Sequence, residues 1–146
     1  MAENRESNTI ETTEEGPQAR LEFKVGWREV QRGEIRPGGR LIIDYDPERL
    51  TQCRRRVREV LDWHITAHVR YLPHGQHYTG GVLREKRPAP HGPVTGVEPV
   101  PFIVLVPQNA ECVEVWFEST SSIRGFCQAF DSRFGQNYRF DVVRTI

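Results

Sequence analysis

No apolar run in this sequence approaches the roughly 18 residues that cross a bilayer. The longest, "PFIVLV" at 101–106, is the size of a strand. The N-terminus, "MAENRESNTIETTEEG", has no basic segment followed by an apolar one and so does not read as a secretory signal. Together these absences set a cytoplasmic expectation with no membrane partner. Cysteine is sparse: Cys53, Cys112 and Cys127 are widely spaced, with no CxxC. Such spacing fits neither a disulfide framework nor a zinc site, and the three read as buried, reduced thiols. A sustained 3.6-residue apolar period is also missing, which argues against a helical fold. Charge of one sign is not in excess, since 20 Lys and Arg balance 20 Asp and Glu. Residues 1–16 hold five Glu against one Arg, net −4, which leaves +4 for the rest. That surplus is too small for a nucleic-acid footprint, so no nucleic-acid partner is expected.

What is present is alternation. Leu21, Phe23, Val25 and Trp27 share one parity, and Leu61, Trp63, Ile65, Ala67, Val69 and Tyr71 share another. Each set describes a strand with one core face and one wet face, and Trp27 and Trp63 both read as core. "RLIIDY" (40–45), "VLRE" (82–85), "VEPVPFIVLVP", "ECVEVWFE", "GFCQAFD" and "NYRFDVV" are further strand-sized segments bounded by turn residues. Between them, 46–56 reads as a charged connector with a helical turn, and 72–81 and 86–96 as Gly/Pro/His loops. The expected fold is all-β, an immunoglobulin-like antiparallel β-sandwich of seven to nine strands. Residues 1–18, polar and acidic, are expected to form a disordered tail before a single domain over 19–146.

Chemistry-bearing residues are scattered. In "DYDPE" (44–48) the alternating acids resemble calcium ligands, but Pro47 and Arg49 stand where a calcium loop needs other groups, so a turn is the better account. His64 and His68 share a strand face about 13 Å apart, too far for one metal. His74, His77 and His91 fall in the expected loops and read as solvated. "CRRRVR" (53–58) reads as a solvated connector facing acidic neighbours. "STSS" (119–122) offers hydroxyls without a nucleophile elbow. No catalytic residue, metal ligand or cofactor is assigned, and the protein is not expected to be an enzyme.

Aromatics say more. In "CVEVWFE" Trp116 shares its face with Glu114 and Glu118, which puts a large ring on a nominally wet surface, as a sugar-stacking platform or a protein interface would. Phe126, Gln128 and Phe130 share one face of the next segment. One hairpin register sets the two Phe beside Trp116 on the outside, and a slip of one residue sends them inward.

The closing run "FDSRFGQNY" resembles the end of the starch- and glycogen-binding modules of carbohydrate-binding module family 21, whose motif is Trp-Asp-Asn-Asn-x-Gly-x-Asn-Tyr. Here Phe130, Asp131, Ser132, Arg133, Gly135, Asn137 and Tyr138 hold those places. The resemblance implies a β-sandwich that binds α-glucan, with rings stacking on glucose and amides bonding its hydroxyls. Gly135 and Asn137 equally suit plain turn chemistry. Across nearly the whole chain after residue 20, "IIDYDPERL", "VEVWFE" and "FDSRFGQNYRFDV" are similar to a bacterial family known as domain of unknown function 6209. The expectation is a non-catalytic carbohydrate-binding-like module using Trp116, Phe130, Asn137 and Tyr138. The alternative is a protein-interaction or scaffold module of a bacterial cytoplasm. The partner would be a polysaccharide or a protein.

Overall fold

The computed structural model describes residues 16–144. Thirteen strands run through them: β1 (Gln18–Lys24), β2 (Arg28–Arg32), β3 (Arg40–Tyr45), β4 (Arg55–Val57), β5 (Val60–Asp62), β6 (His64–Leu72), β7 (Gln76–Gly81), β8 (Leu83–Lys86), β9 (Gly96–Pro99), β10 (Phe102–Leu105), β11 (Cys112–Ser121), β12 (Cys127–Asp131) and β13 (Tyr138–Asp141). A 3-10 turn at Pro47–Arg49 follows β3. No helix among the described residues is long and apolar enough to cross a membrane.

Alternation becomes a sandwich because the central strands each hide one parity. In β6 every second residue from Ile65 to Tyr71 is buried, and in β11 Val113, Val115 and Phe117 point the same way. These two central strands lie antiparallel in a five-stranded sheet of order β12–β11–β6–β7, with β13 also on β11. Opposite stands a four-stranded sheet, β10–β3–β1–β2, whose inner face carries Leu21, Phe23, Leu41, Ile43 and Tyr45. The two faces meet in aromatic contacts. The Phe23 ring lies edge-on to Phe117 at 4.7 Å, and Tyr45 sits 4.0 Å from Phe117. Pairing is antiparallel throughout the named strands except between β1 and β3, which run parallel.

The all-β sandwich expected from the alternation is the one that forms, with more strands than the seven to nine anticipated. The additions are edges and short ribbons. β2 (REVQR) and β7 (QHYTGG) are mostly exposed and lack an apolar face, so their sequences do not alternate, yet both complete a ladder. "VEPVPFIVLVP" divides at Val100–Pro101 into β9 and β10, which join different sheets. Gly80 on β7 lets the two sheets close at that edge. The Phe102 ring of β10 occupies the place of its missing side chain, 2.2 Å from where a Cβ would stand.

The expected tail over 1–18 lies outside the described residues up to position 15. Its last residue, Gln18, already belongs to β1, and the Pro17 carbonyl accepts from the Arg40 amide at 2.9 Å. The cysteine expectation is overturned. Cys53 and Cys127, 74 residues apart with Cα atoms 5.5 Å from each other, form a disulfide that ties β12 to the segment after β3. Cys112 remains a free thiol. Spacing along the chain carried no sign of this pairing, because the fold alone brings the two positions together.

Candidate functional site

β12 and β13 share one edge of β11 in succession, β12 beside residues 117–121 and β13 beside 112–115. The chain between them, 132–137, must therefore leave the sheet and return within six residues. It does so with Arg133, Phe134, Gly135 and Asn137 all at positive φ. Ser132 steadies the excursion, its hydroxyl accepting from the Gly135 amide at 3.1 Å and its carbonyl from the Asn137 amide at 2.6 Å. Across from this loop is the β1–β2 turn, where Trp27 also takes a left-handed conformation, φ 57°. Bulky residues rarely adopt that region, and such strain tends to collect at functional positions.

A cleft of about 410 Å³ opens between the two loops and the 3-10 turn after β3. Trp27, 69% exposed, and Phe134, fully exposed, form its rim with Phe130. Glu29, Gln52, Ser132 and Arg133 add polar groups. Its floor is a buried ionic network. Arg49 Nε donates to Asp131 Oδ2 at 3.0 Å, and the same oxygen accepts from the Tyr45 hydroxyl at 2.7 Å. Tyr138 donates to Asp131 Oδ1 at 2.6 Å and accepts from Arg49 at 2.8 Å. Arg49 Nη1 reaches the carbonyls of Lys24 and Arg28 and the Glu29 carboxylate, which anchors the β1–β2 turn carrying Trp27. The guanidinium also stands 5.2 Å from the Trp27 ring and 5.5 Å from that of Tyr138.

Electrostatics keep the Arg49 guanidinium charged and the Tyr45 and Tyr138 phenols protonated. Burial disfavours the charged guanidinium of Arg49, but the Asp131 carboxylate more than offsets it and raises the pKa further above neutrality. Burial, then Asp131, pushes the Tyr45 hydroxyl far above its ordinary value, and the same causes act on Tyr138. Both phenols are donors at any physiological pH.

A second cluster occupies the outer face of the five-stranded sheet. Trp116 stacks parallel to His68, its cross-strand neighbour, at 5.0 Å, and Arg70 lies 5.1 Å from the indole. His68 Nε2 bonds Glu118 at 2.9 Å while its Nδ1 faces His77 Nε2 at 3.0 Å. Glu114, buried on this face, is held by Arg70 and Arg139. Its pKa is lowered: burial opposes the shift, and the two arginines and Asn137 outweigh that opposition.

Residues 4–143 match a family of unknown function, DUF6209. The chain belongs to that family. No curated protein and no solved structure matches it.

The four site residues expected for this DUF6209 chain do not share one surface. Phe130 pairs with Glu118 on the outer face, 52% exposed, so the register is the one that sets Phe126 and Phe130 outside with Trp116. Trp116 is only part-exposed, its ring already engaged by His68 and Arg70. Tyr138 points inward, 6% exposed, against Phe23. Asn137 sits at φ 64° where the loop rejoins the sheet, near Glu114. Phe130 and Tyr138 meet the cleft; Trp116 and Asn137 belong to the outer face.

Sequence reasoning missed Trp27, Arg49 and Phe134. Parity places Trp27 in the core, but β1 ends at Lys24 and the indole falls in the turn beyond it. The signal was Gly26, a turn residue interrupting the run. The Gly/Pro/His composition of 72–81 predicts a loop at His77, whereas β7 carries it beside His68. The turn expected at 44–48 and the core place expected for Trp63 hold. Asp46 caps the 3-10 turn by accepting from the Glu48 amide at 3.0 Å, and Trp63 is core, donating to Ser119 at 3.1 Å. Ser119 in turn donates to the Gln52 carbonyl, which accounts for one hydroxyl of "STSS" structurally.

Proposed function

We propose that this DUF6209 chain is a non-catalytic binding module whose ligand is a carbohydrate, an α-glucan in the first instance, and that the ligand enters the Trp27–Phe134 cleft rather than lying on Trp116. The observation that carries this reading is the pair of exposed rings, Trp27 and Phe134, each held in a left-handed backbone above a rigid, fully paired polar floor. Concave sites with aromatic walls and a few fixed polar groups suit sugars, because C–H faces stack on rings while hydroxyls meet amides and carboxylates. Gln52 and Glu29 supply those groups here. The likeness of "FDSRFGQNY" to the closing motif of glucan-binding modules supports the same loop.

Titration with maltoheptaose and glycogen, followed by tryptophan fluorescence, tests the reading. A saturable change abolished by Trp27→Ala and retained in Trp116→Ala is expected. No response up to about 10 mM sugar, the weak limit of useful affinity, overturns it. The second reading, a protein-interaction module, is favoured by Phe130, 52% exposed on the outward face of the edge strand β12, and by Phe126, 71% exposed just before that strand begins. It predicts a partner whose binding is lost in Phe126→Ser and indifferent to Trp27→Ala. The Cys53–Cys127 bridge supports an oxidising compartment in place of the cytoplasmic expectation, since disulfides persist there.

A further inference from the structure

We propose that His68 and His77 form a two-histidine site for a single first-row transition-metal dication, zinc or copper(II), on the outer face of the five-stranded sheet, with Glu118 as the carboxylate that orients it. The site is separate from the cleft and does not depend on what the cleft binds.

His68 and His77 lie diagonally on adjacent strands, each facing out, with the register His68↔Thr79 and Arg70↔His77 fixing their backbones. Their nitrogens face each other at 3.0 Å, ring centroids 5.2 Å apart. Two imidazole nitrogens on a tetrahedral zinc, each about 2.0–2.1 Å from the metal, stand about 3.3–3.4 Å apart. The rings therefore need to turn and open by only a few tenths of an ångström, with no backbone movement.

The tautomer is already set. Glu118 receives a hydrogen bond from Gln128 and accepts from His68 Nε2 at 2.9 Å. An ionised carboxylate only accepts, so His68 carries its proton on Nε2 and presents a bare lone pair at Nδ1. A ligating histidine whose other nitrogen donates to a carboxylate is the usual outer-shell arrangement of a metal centre. Without metal, His77 fills the gap by donating Nε2–H to that lone pair. On binding, its proton moves to Nδ1 and both lone pairs converge on the ion, with no net proton change. His77 is exposed, so the ion has a path from solvent.

Charge does not oppose a cation. Arg70 and Arg139 are both engaged by Glu114, and Glu118 leaves the neighbourhood near neutral. Among the described residues no set of three or more His, Cys, Asp and Glu is arranged to hold a metal, so water completes the coordination shell. Such a site takes an exchangeable ion rather than a structural one. Trp116, stacked on His68 and 5.3 Å from His77, is a built-in reporter, because copper(II) quenches a nearby indole.

The test uses the full chain free of any histidine tag, with copper(II) chloride and zinc chloride as probes. Tryptophan quenching by copper is expected to saturate at one equivalent, zinc to compete for the same site, and the copper spin-resonance spectrum to show two equatorial imidazole nitrogens. His77→Ala and His68→Gln should each weaken binding about tenfold or more, Glu118→Gln by a factor between about ten and a hundred, and His74→Ala and His91→Ala not at all. The spectrum of the unaltered protein keeps the test decisive if a variant folds poorly. A wild-type spectrum lacking the two nitrogens, no saturation up to about 1 mM metal, or full affinity in a folded His77→Ala overturns the proposal.

Discussion

Arg49 and Asp131, 82 residues apart in the chain, meet at 3.0 Å with their side chains 1% and 2% exposed. One comes from the turn after β3 in the first sheet, the other from the end of β12 in the second, so the pair joins the two layers beneath the cleft. Removing one partner leaves an uncompensated buried charge. Asp131→Ala is expected to lower stability by about 3–5 kcal/mol in urea unfolding, and Arg49→Met by a similar amount. The double variant should cost less than the sum, because each single change strands the other group. Strict additivity would show that the two do not act as a pair.

The Cys53–Cys127 bridge closes a loop of 74 residues and ties β12 to the connector that follows Arg49. A Cys53→Ser, Cys127→Ser double variant should lose about 2–4 kcal/mol of stability. Wild-type protein in reductant should lose about as much. Thiol titration under denaturing, non-reducing conditions checks the pairing directly, with one free thiol expected from Cys112. Three would contradict the bridge.

Gly80 has no room for a methyl group, since a Cβ would lie 2.2 Å from the Phe102 ring. Gly80→Ala should destabilise by about 1–3 kcal/mol through overpacking. Adding Phe102→Leu should recover part of the loss, and equal instability of the single and double variants would locate the strain elsewhere.

Glu118 sits below its ordinary pKa because Gln128, and then His68, bond its carboxylate. A carboxylate depressed in the folded state contributes stability that is present above its unfolded pKa, about 4.3, and lost as pH falls through the folded value. His77 is also shifted down, by burial first and then by His68 and Arg70. Its neutral form is favoured in the fold, so stability declines as pH drops from its unfolded pKa of about 6.5 toward the folded one. Denaturant midpoints against pH should show both slopes. Glu118→Gln should flatten the lower one and His77→Asn the upper one, and an unchanged profile in His77→Asn would remove the histidine from the account.

The two-faced central strands are written into the alternation of the chain. Where alternation runs through a central strand, as from Ile65 to Tyr71 or from Val113 to Phe117, the strand formed with that parity inside, because burying one face of a period-two chain leaves no other choice. The run from Leu61 to Tyr71 breaks at Trp63 into β5 and β6, and the run from Leu21 leaves Val25 and Trp27 exposed. The outward placement of Trp116 was legible from the same central-strand alternation. Edge strands were not, since β2 and β7 take their place through backbone hydrogen bonds that any polar sequence can make. Tertiary structure alone decided the site. Arg49, Asp131, Tyr138 and Tyr45 converge from two layers, and the same closure joins Cys53 to Cys127 and sets His77 beside His68. Spacing along a chain encodes which face a residue takes within its own strand. It does not encode which strand will lie alongside, and each of these clusters is made between neighbours that only the packed sheets bring together.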